Sequence, residues 1–234
     1  MKLSAAQTQL LEQLGSDAQR GLTTDQAAAR REQAGSFNVV DPPINCPSWI
    51  CCLLPCIKHI PSMKAFAQVK PEDAEVLRNG KWIRYEASSL VKGDIIKLEE
   101  GDIVPADCVV LTVDSENDLV VDCRCVAGED KPRSASAAAA TTTGSTTVKP
   151  IQLFLGGHTA QGSATAVVTA TGSNTLLASL IRENRFPPKD NGGMVAAADN
   201  VQYATVGADE EVGISLMGRE QHPSDGAPAT GEFR

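Results

Sequence analysis

The stretch that sets the fold class is Glu75-Val76-Leu77-Arg78-Asn79-Gly80-Lys81-Trp82-Ile83-Arg84. Asn79-Gly80 lies between two short runs of strand-forming residues, and both residues tolerate the positive φ angles of a type I′ turn. The stretch therefore predicts a β-hairpin. We interpret this hairpin as the start of a β domain that extends to residue 183.

Further turn signals and short apolar runs continue after this hairpin. Lys92-Gly93-Asp94 and Glu100-Gly101-Asp102 each precede a short β-branched run. Many short strands separated by turn signals are typical of a compact barrel or jelly roll. We therefore predict a mainly β fold with flanking helices (α+β), a distorted jelly roll or β-barrel with the N-terminal helices packed on it. The remaining predicted strands cover residues 108–113, 119–124, 151–155 and 163–171.

Helical signals lie at both ends of this β region. Residues 4–21 carry an apolar patch at helical spacing, which predicts a first helix. A threonine cap predicts a second helix that runs to about Ala34, where Gly35 supplies the stop. Ser173 is the predicted cap of a final helix through residues 176–181.

The composition changes along the chain and predicts its division. Residues 1–40 form an N-terminal helical segment, and residues 41–71 are a connector rich in Pro and Cys. The β domain spans residues 72–183 and contains an Ala/Ser/Thr insert at 134–149, which we expect to be flexible. Residues 184–234 are expected to be a disordered tail.

Charge and hydropathy restrict the partners. The 234-residue chain has a formal charge of −8 and a pI near 4.9, which excludes nucleic acid because phosphate binding needs clustered Lys and Arg. The longest apolar run covers residues 49–54 and ends at Pro55, whereas a membrane span needs about 20 apolar residues. We expect a cytoplasmic protein whose seven cysteines stay reduced.

Six motifs follow one another in a recognisable order. They are residues 75–82, Leu90-Val91-Lys92-Gly93-Asp94-Ile95-Ile96, Gly101-Asp102-Ile103-Val104-Pro105-Ala106-Asp107, Val121-Asp122 with Ala127-Gly128-Glu129-Asp130-Lys131-Pro132, residues 156–162 and residues 166–175. In this order the chain resembles the actuator domain of P-type cation-transporting ATPases, most closely the plasma-membrane proton ATPases. Residues 3–40 resemble the N-terminal segment of the same family.

The chain also departs from the family pattern. Residues 41–71 occupy the place of a pair of membrane helices but are too few for two spans. The Asp-Lys-Thr-Gly-Thr motif of the phosphorylated aspartate does not occur in the sequence. The resemblance thus implies that membrane helices, phosphorylation domain and nucleotide-binding domain are absent. We expect no ATP hydrolysis and no ion transport from this chain alone.

The candidate catalytic loop is Ala127, Gly128, Glu129 and Asp130. In the family this loop is Thr-Gly-Glu-Ser, and its glutamate positions the water that hydrolyses the aspartyl phosphate. Ala127 lacks the hydroxyl, and Asp130 adds a negative charge where phosphate would dock. We predict a degenerate loop with Glu129 idle and exposed on a turn. Residual use of Glu129 on another ATPase is the alternative.

A cysteine cluster lies in the connector, at Cys46, Cys51, Cys52 and Cys56, with His59 close by. Four of these side chains could hold zinc or another soft metal, although the paired Cys-X2-Cys spacing is missing. Cys51, Cys52 and Cys56 are alternatively lipidation sites beside apolar and basic residues. The third interpretation is that small apolar side chains pack the connector on the β domain.

Other polar and sulfur side chains are predicted to be structural. Cys123 and Cys125 alternate on the predicted strand and should share its buried face. His158 lies in a Gly-rich turn without a second ligand nearby in sequence. Asp102 and Asp107 are interpreted as turn and packing residues.

These features favour a non-catalytic interaction or regulatory module whose protein partner is a P-type ATPase. One alternative is a factor that completes dephosphorylation in trans through Glu129. The other is a lipid-anchored or metal-binding adaptor built on the cysteine cluster, peripheral at a membrane surface. No cofactor is expected.

Overall fold

The computed structural model describes residues 3–44, 60–114, 118–129, 131–135 and 151–188. These residues contain five α-helices and nine β-strands. The helices are α1 (Ala5–Leu14), α2 (Thr24–Ala34), α3 (Pro61–Gln68), α4 (Arg124–Ala127) and α5 (Leu176–Arg182). The strands are β1 (Asp73–Arg78), β2 (Lys81–Glu86), β3 (Ile95–Leu98), β4 (Asp107–Val113), β5 (Leu119–Asp122), β6 (Arg133–Ala135), β7 (Gln152–Leu153), β8 (His158–Gln161) and β9 (Ala164–Ala170).

The strands form two antiparallel sheets. The first has six strands in the order β2-β1-β3-β9-β4-β7, and the second has three in the order β6-β5-β8. Side chains from both sheets meet in one hydrophobic cluster, to which Ile96, Val168, Leu119 and Val121 contribute. Strand β9 is buried along its whole length at the centre of the larger sheet. The predicted mixed fold of antiparallel sheet and helices is confirmed.

The first hairpin forms as the sequence predicts. Strands β1 and β2 pair from Asp73 opposite Glu86 to Arg78 opposite Lys81. Asn79 and Gly80 connect them with φ angles of 52° and 73°. Both positive angles are required by a two-residue turn that matches the twist of the strands.

The N-terminal helices have clear boundaries. Helix α1 begins with a capping box between Ser4 and Gln7 and ends at Gly15, whose φ is 56°. It is shorter than the predicted 4–21, because Gly15 ends it in the left-handed conformation. The Asp17 carboxylate then accepts bonds from the backbone N–H groups of Gln19 and Arg20 and forms a turn. Helix α2 runs to Ala34 as predicted.

Helix α1 packs on the larger sheet, which confirms the predicted packing. Leu11 and Leu14 join a buried cluster with residues of β3, β4 and β9. Strand β4 has a bulge at Leu111, because Val110 pairs with Ala166 and Thr112 pairs with Thr165. The Gln7 side-chain amide donates to the carbonyls of Val110 and Leu111, at 3.1 and 2.8 Å. The helix therefore satisfies backbone groups at the bulge.

One predicted strand and one predicted turn have different limits in the structure. The strand predicted for 119–124 ends at Asp122, and the single-turn helix α4 follows. Cys123 and Cys125 therefore do not share a strand face, and that prediction is wrong. The predicted turn at residues 156–162 is only partly a turn, since strand β8 spans His158–Gln161.

Other boundaries also differ from the predictions. Thr175, not Ser173, caps the last helix, and its hydroxyl accepts a bond from the backbone N–H of Ala178. The predicted insert at 134–149 begins inside strand β6, and its residues 136–149 lie outside the described ranges. The predicted tail lies outside them from residue 189 onward. Over the described ranges, no helix is long and apolar enough to cross a membrane.

Candidate functional site

The candidate loop follows strand β5 through helix α4. The Asp122 carboxylate accepts bonds from the backbone N–H and the guanidinium of Arg124, at 3.0, 2.9 and 2.6 Å. This guanidinium holds the pKa of Asp122 below its usual value. The helix ends at Gly128, whose φ of 66° is left-handed and whose N–H donates to the Arg124 carbonyl. The glycine thus turns the chain into Glu129.

A pair of glycines lets the loop lie close to the turn before β8. A Cβ atom added to Gly156 would lie 2.6 Å from Cβ of Val69, and one added to Gly157 would lie 2.9 Å from Sγ of Cys123. The thiol of Cys125 donates to the Gly156 carbonyl at 3.3 Å. The base of the loop is therefore fixed by tight packing.

Glu129 is bound to a guanidinium four residues along the chain. The Nε group of Arg133 donates to both Glu129 carboxylate oxygens, at 2.8 and 3.1 Å, and Nη2 donates to Oε1. The Glu129 side chain is only 10% exposed. The prediction that Glu129 is exposed on a turn is therefore wrong, because the ion pair draws the carboxylate onto the domain.

Arg133 itself is held from three sides. Its backbone lies in strand β6, opposite Val121 of β5. Its Nη1 group donates to the Gln152 carbonyl at 2.7 Å, and its guanidinium stacks over the Phe154 ring, 4.7 Å from the centroid. The Arg133 side chain is 18% exposed and therefore lies near the surface. One edge of its guanidinium faces Glu129.

This arrangement determines what the loop can do chemically. A carboxylate that orients water must present a lone pair to that water. Both oxygens of Glu129 accept bonds from Arg133, so part of the acceptor capacity of this carboxylate is already used within the domain. Ala127 is buried and brings no hydroxyl. The loop therefore keeps the glutamate of the family pattern in an ion pair with Arg133 and lacks the hydroxyl at position 127.

Sequence reasoning missed Arg133. The available signal was an acidic and a basic residue four positions apart, Glu129 and Arg133. That spacing is informative on a helix, but this segment is a turn that leads into a strand. The pair depends on the pairing of β5 with β6, which no local pattern indicates.

The remaining candidate residues have the following places. Asp130 lies outside the described residues, as do the cluster Cys46, Cys51, Cys52, Cys56 and His59, so their predicted roles stay predictions. The described part of the chain contains no group of three potential metal ligands.

The two aspartates and the histidine have structural contacts. Asp102 accepts a bond from the Glu99 N–H at 2.8 Å, which closes the turn after β3. Asp107 is buried and accepts bonds from the N–H groups of Leu155 and Leu176, at 2.9 and 2.7 Å. These contacts confirm their predicted turn and packing roles. His158 pairs in register with Asp122 across β5 and β8.

The described cysteines are buried or half-buried thiols. Burial raises the pKa of Cys123 to about 12 and the pKa of Cys108 well above its ordinary value. Burial also raises the pKa of Cys125. These thiols are therefore protonated at neutral pH and are poor nucleophiles.

Comparison with known proteins identifies two family regions. Residues 68–185 match the model of the P-type ATPase actuator domain. Residues 5–54 match the model of the cation transporter/ATPase N-terminus. The first region contains the candidate loop and both sheets, and the second contains helices α1 and α2.

Two similar curated proteins are calcium pumps. The chain is 36% identical over 114 residues to calcium-transporting ATPase 1 of Schizosaccharomyces pombe, covering 49% of this chain and 12% of that protein. It is 37% identical over 119 residues to the endoplasmic reticulum calcium ATPase srcA of Aspergillus fumigatus, covering 50% and 12%. The chain thus matches about an eighth of the length of these relatives. The predicted closer resemblance to the plasma-membrane proton ATPases stays a prediction.

A solved structure of a zinc-transporting PIB-type ATPase in the E2.Pi state is also similar, at 22% identity and a TM-score of 0.40. The match covers 55% of this chain and 19% of that chain. The actuator-domain model covers half of the present chain and includes the whole Glu129 loop. The chain therefore belongs to the P-type ATPase family, of which it carries the actuator domain and the cation-ATPase N-terminal segment.

Proposed function

We propose that this chain is a non-catalytic regulatory module that binds a cation-transporting ATPase through its actuator-type domain. The family match and the antiparallel sheets that the described residues form beside the Glu129 loop support this proposal. Because the similar curated proteins are calcium pumps, a calcium-transporting ATPase is the first partner to test. We further propose that the chain by itself hydrolyses no ATP, moves no ion and needs no cofactor.

The observation that carries the proposal is the ion pair between Glu129 and Arg133. Both side chains are largely buried, at 10% and 18% exposure, so the pair is poorly screened by water. A carboxylate held in this way has part of its acceptor capacity taken up by Arg133. Together with Ala127, which lacks a hydroxyl, the pair favours docking without hydrolysis.

The test uses the full chain and vesicles that contain a calcium-transporting ATPase. The pump is phosphorylated with radiolabelled ATP, and co-sedimentation of the chain is compared between phosphorylated and unphosphorylated vesicles. We expect more chain to sediment with the phosphorylated pump, and phosphoenzyme decay not to be accelerated. Absence of co-sedimentation in both states would overturn the proposal.

A second candidate function is dephosphorylation in trans through Glu129. It is favoured by Gly128, which keeps the left-handed turn that presents the glutamate. This candidate predicts that the chain accelerates phosphoenzyme decay and that Glu129→Gln abolishes the acceleration. If decay is equal with the wild-type chain, the variant and no chain, this candidate is excluded.

A third candidate is an adaptor at the cytoplasmic surface of a membrane. It rests on the sequence of residues 46–59 alone, where the cysteines lie beside apolar residues. Lipidation predicts acylation that hydroxylamine removes, and metal binding predicts stoichiometric zinc in the purified protein. Replacement of Cys46, Cys51, Cys52 and Cys56 by serine should abolish either signal, and detection of neither in the wild type excludes the adaptor.

A further inference from the structure

The Arg133 guanidinium is held in place by contacts that do not involve Glu129. Nη1 donates to the Gln152 carbonyl at 2.7 Å, and the guanidinium plane stacks on the fully buried Phe154 ring. The residue also belongs to strand β6, whose backbone pairs with β5. The cation therefore keeps its position when the Glu129 carboxylate moves away.

Glu129 occupies one edge of this guanidinium. That edge is formed by Nε and Nη2, and both groups donate to the carboxylate. Two parallel N–H donors match the oxygen spacing of either a carboxylate or a phosphate. Glu129 thus occupies a pair of N–H donors that can also bind an external oxyanion.

We propose that the Nε and Nη2 edge of Arg133 binds a phosphate group and that Glu129 is the internal ligand which the phosphate displaces. A phosphate carries about −1.5 to −2 charges at neutral pH, so it competes better for the guanidinium than a second carboxylate would.

The inference rests on the proposed function for the source of the phosphate, which is the phosphorylated aspartate of a partner pump. Inorganic phosphate and an acyl phosphate share the chemistry that Arg133 recognises. The site can therefore be tested on the full chain without any partner. Titration with inorganic phosphate, followed through the NMR signals of arginine Nε–H groups, reports binding at Arg133 directly.

Three variants give a distinctive order of affinities. Glu129→Gln keeps the shape of the side chain but removes the competing charge, so it should bind phosphate about tenfold more tightly than the wild type. Arg133→Gln should abolish binding, and the double variant should behave like Arg133→Gln. Equal phosphate affinities of Glu129→Gln and wild type, or retained binding in Arg133→Gln, would overturn the proposal.

Two further variants separate the site from general effects. Arg133→Lys keeps the charge and loses the two-donor edge, so we expect it to fold and to bind phosphate more weakly than the wild type. Arg124→Gln removes another cation near the loop, one that is paired with Asp122, and should leave the phosphate affinity unchanged. A loss of binding in Arg124→Gln equal to that in Arg133→Gln would contradict a specific site.

The same titration with acetyl phosphate distinguishes the two sources. The proposal expects acetyl phosphate to bind with the same order among the variants, and binding confined to inorganic phosphate would contradict an acyl phosphate ligand. If the pump does not recruit the chain but Glu129→Gln still tightens phosphate binding, the proposed partner is contradicted and the phosphate site at Arg133 is supported. If the pump recruits the chain but Glu129→Gln does not tighten phosphate binding, the partner is supported and the phosphate site is contradicted.

Discussion

The carboxylate of Asp94 is completely buried and is held by the guanidinium of Arg78. Nε donates to Oδ1 at 3.0 Å and Nη2 donates to Oδ2 at 2.6 Å, while the side chains are 0% and 4% exposed for Asp94 and Arg78. Asp94 also accepts a bond from the Val91 N–H at 2.8 Å. The pair thus joins the end of β1 to the turn that begins β3.

Asp94→Ala should strongly destabilise the domain. The substitution leaves the Arg78 guanidinium buried without its counter-charge, and breaking a buried pair in this way costs about 3–5 kcal/mol. Guanidinium chloride unfolding, followed by circular dichroism, measures the change in the free energy of unfolding.

The matched control for this prediction is Asp73→Ala. Asp73 pairs with Arg84 at 3.5 Å, and the two side chains are 50% and 64% exposed. An exposed pair of this kind contributes less than about 1 kcal/mol. If both substitutions reduced stability equally, burial would not be the source of the Asp94 effect.

Gly156→Ala should destabilise the protein through crowding beneath the candidate loop. Its added Cβ would lie 2.6 Å from Cβ of Val69. Gly101→Ala is the control. The φ angle is 90° at Gly156 and 93° at Gly101, but a Cβ at Gly101 meets no atom within 4 Å. Backbone strain is thus similar in both, and Gly156→Ala should cost about 1–3 kcal/mol more in denaturant unfolding. Equal costs would contradict tight packing of this turn.

Gln7→Ala should loosen helix α1 from the sheet. It removes the amide that donates to the carbonyls of Val110 and Leu111, and it also removes the oxygen that accepts the Ser4 N–H in the capping box. The expected loss is about 1–3 kcal/mol, with faster hydrogen exchange in α1 measured by mass spectrometry. Thr8→Ala, on the exposed side, should change α1 exchange little. Unchanged exchange in Gln7→Ala would show that the apolar contacts alone hold the helix.

Cys123 should make the folded state less stable at alkaline pH. Burial raises its pKa to about 12 in the folded protein, whereas the ordinary value is 9.0. The unfolded chain therefore releases this proton first, and stability falls as the pH rises from 9 toward 12, by on the order of 1 kcal/mol per pH unit. Cys123→Ala should lose less stability than the wild type over this range in denaturant unfolding. Parallel pH profiles of the two proteins would contradict the assignment.

The parts of the fold that sequence predicted correctly are those with local signals. Asn79-Gly80 predicts its own hairpin because the turn conformation is a property of these two residues. Helix α2 is likewise bounded by its own cap residues, Thr23 and Gly35. No distant contact is needed to place either element.

The missed elements depend on distant partners. Strands β6 and β8 have three and four residues, and each exists because it pairs with β5. Within the candidate site, the positions of Gly128 and Glu129 follow from sequence, but the state of the Glu129 carboxylate does not. It depends on Arg133, which β6 brings opposite Val121.

Strands β6 and β7 lie at the outer edges of the two different sheets. Neither strand takes part in the pairs of β9 with β3 and β4 or in the pairs of β5 with β8. Arg133 of β6 donates to the Gln152 carbonyl of β7, so a single side chain holds the two sheets together where the chain passes from one to the other.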